Sequence, residues 1–264
     1  MKKIFLLFTC LTCLYTTAHE FWLQPLLFHY SPGDTATVHF YVGENFTGEF
    51  WGRDLSKIQS LRHFSRTGIT DASYTVTGNK VDSMKLALPA GGTHLIAFNS
   101  TNSFITLQPR EFNAYLEEDG LYGAIQYRKK HQQTDTVGRE YYQRSVKTLL
   151  QCGNTKDETY RTNTGLPLEI IPGLNPYIIQ KPQRIPFKLL YKNKPLGAAL
   201  VKVWHKMPGR TATMLEMKTD IRGIINVAIQ PRGTWLVSSV HMVHNKADTV
   251  AQWQSYWGSF CFGY

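Results

Sequence analysis

The chain is poor in the residues on which many chemistries depend. Of its 264 residues only four are cysteine, and two of these, Cys10 and Cys13, fall in the opening stretch. Cys152 and Cys261 are too distant in sequence for a zinc-site spacing, although in an oxidising compartment they could pair. No His-Glu-x-x-His, Gly-x-Ser-x-Gly or glycine-rich phosphate loop occurs, and no Cys-x-x-Cys lies beyond residue 18. The usual signatures of zinc hydrolases, serine hydrolases and nucleotide-binding enzymes are therefore missing. Long apolar runs are also missing. The longest, Ile4 to Tyr15, falls short of the roughly 20 residues needed to span a bilayer. Basic residues outnumber acidic ones, 29 to 19, for a net charge of +10, but they are scattered. That distribution argues for solubility and attraction to an acidic envelope surface rather than for a nucleic-acid footprint.

What the N-terminus does have is an export signal. Lys2 and Lys3 precede the apolar run, and Thr16-Thr17-Ala18 places small residues at the minus-three and minus-one positions of a signal-peptidase site. Residues 1–18 are read as a signal peptide cut between Ala18 and His19, which puts the mature protein in the periplasm or outside the cell. A terminal histidine offers a metal two nitrogens, its free α-amine and its imidazole, in one chelate ring. No internal histidine can do this.

From Phe21 to about Pro109 the pattern is that of short strands. In Thr35 to Gly43, Ala36, Val38, Phe40 and Val42 alternate with Thr35, Thr37, His39 and Tyr41, the period of a half-buried strand. Gly78-Asn79 marks a hairpin, and Leu95–Ser100 and Phe104–Leu107 read as further strands. Phe112, Tyr115 and Leu116 then recur at helical spacing. Tyr142, Val146, Leu149 and Leu150 suggest a second helix over Arg139–Gln151, closed by Gly153. After Pro167 strands return, at 185–192, 198–206, 214–219, 224–229 and 234–242, and an aromatic segment, 250–264, closes the chain. The expected architecture is mainly β: an N-terminal sandwich over 19–110, a helical insert over 111–155 and a C-terminal prealbumin-like sandwich over 156–264, both sandwiches immunoglobulin- or prealbumin-like. The acidic run Glu117-Glu118-Asp119 reads as a solvated helix end.

Several separated strings resemble one family: His19-Glu20-Phe21-Trp22-Leu23-Gln24-Pro25, Val42-Gly43-Glu44-Asn45-Phe46, Glu111 to Leu121, Gly138 to Tyr142, Lys147 to Leu150, Gly165 to Glu169, Val240-His241-Met242 and Trp253 to Trp257. In order and spacing they are similar to the secreted bacterial family of domain of unknown function 4198, described as NikM-like and linked to nickel or cobalt uptake. The resemblance implies a mature chain that begins with His-Glu-Phe-Trp-Leu and a role beside an envelope metal transporter. The chain departs from the family pattern at His94, where an aromatic residue is more familiar, and at Cys261.

For the metal, His19 is the leading ligand and His241 the next. Trp235, Val237, Ser239 and His241 share one strand face, and Val201, Val203 and His205 share another, so His205 and His241 are expected at one rim of a sandwich. Nitrogen-rich donors of this kind suit nickel, cobalt or copper. The expected function is transition-metal capture without catalysis. Two alternatives stand beside it: a copper oxidase of the histidine-brace type, and an interaction module of an envelope transporter that binds no metal.

Overall fold

The computed structural model describes residues 20–264. Residues 1–19, with the export signal and the chelate expected there, lie outside the described residues. The architecture is mainly β, and a ten-stranded sheet is its backbone. Across this sheet run Thr213–Lys218, Leu200–Lys206, Thr234–His244, Trp253–Gly263, Gly138–Cys152, Gly92–Ser100, Ile58–Ser65 and Gly68–Asp71, with Ser103–Leu107 and His29–Tyr30 also paired to Gly138–Cys152. Neighbours are antiparallel, except that Trp253–Gly263 and His29–Tyr30 run parallel to Gly138–Cys152.

Each face of this sheet is covered by a different layer. Successive residues of a strand point to opposite sides, and Ser259 and Phe260 show both covers. The Ser259 hydroxyl donates to the Phe21 carbonyl at 2.7 Å, while Phe260 packs against Phe187 with ring centroids 6.2 Å apart. On the first side lies a four-stranded sheet containing Glu20–Pro25, Thr35–Glu44, Thr47–Phe50 and Ser83–Ala87. Phe21 and Phe40 from this sheet, with Trp51 just beyond its Thr47–Phe50 strand, surround Phe98 of the central one at 5.4 to 5.5 Å. On the second side Leu168–Pro172, Gln183–Tyr191, Lys194–Pro195 and Ile224–Ile229 form the covering sheet.

The helices α1 (Pro109–Glu118) and α2 (Tyr122–Lys130) share the first side. Pro109 supplies a preset φ at the start of α1, and Gln108 and Glu111 cap its free N–H groups reciprocally. Phe112, Tyr115 and Leu116 form its buried stripe and pack with Val240, Met242 and Trp253. Gly120, at φ +61°, turns the chain out of the helix. The approach of α1 to the central strand is close enough to require glycine at 138, where a Cβ would lie 2.2 Å from the Phe112 ring.

One element differs from expectation. Residues 138–152 are a fifteen-residue strand, not a helix. The apolar positions fit a helical stripe, but the intervening polar residues are buried as well, because both faces of the strand are covered. Lys147 pairs with Glu169 at 2.9 Å, and Gln151 donates to Thr155 O at 2.8 Å. A doubly buried strand loses the alternation by which strands are recognised. The consequence for organisation is direct. Residues 19–110, 111–155 and 156–264 each supply strands to the same sheet, with Gly138–Cys152 at its middle.

Cys152 and Cys261 are both free and buried. Cys261 lies beside Thr148, four residues before Cys152 and so about 13 Å away along the strand. A disulfide requires Cα atoms within about 7 Å.

Candidate functional site

Glu20, the first described residue, is only 5% exposed. It faces Lys202 and Ser238, which are cross-strand partners on the first side of the central sheet. Lys202 Nζ donates to Asp119 Oδ1 at 2.7 Å and lies 4.0 Å from Glu118. Asp119 is held there by the end of α1, and its burial corrects the expectation of a solvated acidic helix end. Next to this group, Glu140 accepts hydrogen bonds from the Tyr115 and Ser255 hydroxyls. The Trp257 indole N–H donates in turn to Ser255 Oγ at 3.0 Å.

Three carboxyls are thus enclosed with one ammonium. Burial pushes Glu20 up to about 7, with the charge of Asp119 adding to the rise and Lys202 opposing it. Burial likewise raises Asp119 to about 6, against the pull of Lys202. Glu140 is raised to about 7 by burial, with the Ser255 and Tyr115 hydroxyls opposing the shift. Two of the carboxyl oxygens, Asp119 Oδ2 and Glu140 Oε2, are buried with no hydrogen-bond partner. Such orphans in a native interior call for an explanation, and an additional cation is one. Among the described residues no three His, Cys, Asp or Glu side chains are arranged to hold a metal.

The other two expected ligands do not join this cluster. His205 is three residues beyond Lys202, and His241 three beyond Ser238. Both odd offsets turn the rings to the second side of the sheet, away from Glu20. Nor do they share a rim. His205 stands opposite Trp235, six residues before His241, which separates the two by about 20 Å. His205 stacks on Trp235 at 3.9 Å and donates through Nε2 to Arg232 O at 3.0 Å. His241 packs on Tyr191 at 4.4 Å, and burial together with nearby Lys192 lowers it to about 4.

Sequence reasoning passed over Glu140 and Lys202 and read Asp119 as part of a solvated helix end. One signal was present for Lys202, since Trp204 shares its strand face and a tryptophan marks a covered surface. Glu140 carried none.

A family model described as a domain of unknown function, DUF4198, matches residues 16–243. The chain belongs to that family. The DUF4198 region therefore takes in Glu20, Asp119, Glu140 and Lys202 together. A search of curated proteins finds no match. No helix among the described residues is long and apolar enough to cross a membrane.

Proposed function

We propose that this DUF4198 protein is a periplasmic or secreted binder of a divalent transition metal, nickel, cobalt or copper, that serves an envelope metal transporter. The site begins at His19 once cleavage after Ala18 frees its amine. The observation that carries the reading is the gathering of three buried carboxyls against one ammonium around the residue that follows His19. The His19 amine and imidazole would supply two nitrogens, and Asp119 or Glu140, each with an unpartnered oxygen, an oxygen donor. The donor set is mixed nitrogen and oxygen, which suits these metals.

The amine must be neutral to ligate, and its ordinary pKa is about 7.7–8.0. Binding therefore releases protons and weakens on acidification, the more so as Glu20 and Asp119 take up protons near neutrality. The test is a calorimetric titration of nickel and of copper into chain starting at His19 and into chain carrying one extra alanine ahead of it. One metal per processed chain is expected, with at least a hundredfold loss on extension. Equal affinity of the two forms would overturn the reading. Oxygen consumption by the copper-loaded chain with a reductant would transfer the site to the oxidase alternative.

A further inference from the structure

A second site lies five strand spacings from Lys202, about 24 Å across the central sheet. There, between Ile58–Ser65, Gly92–Ser100 and the Ser83–Ala87 strand, a cavity of about 400 Å³ opens. Its volume is in the range of small-molecule sites. Two of its lining residues, His63 and His94, are 8% and 3% exposed and lie edge to edge, with nearly parallel ring planes and centroids 5.0 Å apart.

The hydrogen bonds fix where their protons sit. Ala90 O can only accept, so His94 Nε2, 3.1 Å away, carries a proton. In the neutral ring Nδ1 then accepts, and the proton shared at 2.8 Å belongs to His63 Nε2. That leaves His63 Nδ1 with a lone pair to which no described residue donates. Burial holds both rings below the ordinary histidine range, which keeps them neutral.

The rest of the lining specifies the ligand's other features. Arg66 and Lys85 border the cavity, and among the described residues lining it there is no aspartate or glutamate. The Arg66 Nε–H is engaged with Gly91 O at 2.9 Å, and the remaining guanidinium N–H groups are available to an anion. Leu86 and Pro89 supply apolar lining, whereas Ile69, paired with Phe64, turns its side chain to the other face of the sheet. The nearest acid, Asp157 beside Gly92 and Arg66, already accepts from the Thr93 and Thr159 N–H groups at 2.8 and 2.9 Å, so a hydroxyl is a better donor to His63 Nδ1 than an ammonium.

We propose that this cavity binds a small apolar hydroxycarboxylic acid, its carboxylate paired with Arg66 and Lys85 and its hydroxyl donating to His63 Nδ1. This assignment is independent of the metal reading. The test titrates 2-hydroxy-4-methylpentanoate and its deoxy counterpart, 4-methylpentanoate, into the full processed chain. The hydroxy acid is expected to bind at least tenfold more tightly. Exchanging the exposed charges, R66Q with K85Q, should weaken both acids at least tenfold. His63→Phe should abolish the preference for the hydroxyl, while His63→Asn, which keeps an acceptor at the Nδ1 position, should retain it. Absence of saturable binding by the unmodified chain, or equal affinity for the two acids, would overturn the proposal. R66Q with K85Q alters only exposed side chains, so it remains informative should a His63 variant fold poorly.

Discussion

Glu140→Gln isolates the cost of enclosing a carboxylate in this protein. Glu140 is 2% exposed, and its pKa stands at about 7 instead of 4.5. Because the folded value is raised, the folded chain holds a proton that the unfolded chain has released between about pH 4.5 and pH 7. Stability must fall as pH rises through that window. A displacement from 4.5 to about 7 corresponds to about 3 kcal/mol at 1.36 kcal/mol per unit. Glutamine keeps the oxygen that accepts from Tyr115 and Ser255 but cannot ionise. The variant should therefore lose about 3 kcal/mol less than the parent between pH 4.5 and pH 8, whatever its stability at the starting pH. Urea unfolding of both proteins at several pH values, at one ionic strength and without metal, measures the difference. Parallel stability curves would refute the placement of Glu140 in a site that disfavours its charge. A second measurement links the cluster to the metal reading. If a bound cation neutralises the carboxyls, nickel or copper should flatten the parent's alkaline decline in the chain that begins at His19 and not in the alanine-extended one.

Other features give sharp expectations. Lys147→Met should destabilise by about 3–5 kcal/mol, because Glu169 would remain buried without its cation. Adding E169Q should recover a large share, as chemical denaturation of the single and double variants would show. Gly138→Ala forces a methyl group to within 2.2 Å of the Phe112 ring and should cost about 1–3 kcal/mol, visible as a lower melting temperature with the same β-rich circular dichroism. In the chain that begins at His19, Cys152 and Cys261, both buried and with thiols raised by burial, should resist a thiol reagent until denaturant is added and then react as two equivalents without reductant. A single equivalent, or none, would contradict their free state.

Local pattern alone determined the β class, the apolar stripe of α1 and most strands after Pro167, because proline and glycine turns bound these elements and outer strands such as Ile224–Ile229 keep one buried face. Thr35–Glu44 buries Ala36, Val38 and Phe40 as its alternation requires. The ordered strings that resemble DUF4198 were also legible without coordinates. The fate of Gly138–Cys152 was not, since a strand covered on both faces presents no alternation and its polar residues find partners distant in sequence. The site divided in the same way. His19 and Glu20 stand together in the chain, but Asp119 and Lys202 meet across 83 residues. Only the sheet register turns His205 and His241 away from them. The tertiary structure decided these points because a strand's periodicity tells which residues share a face, whereas the layer packed on that face comes from elsewhere in the chain.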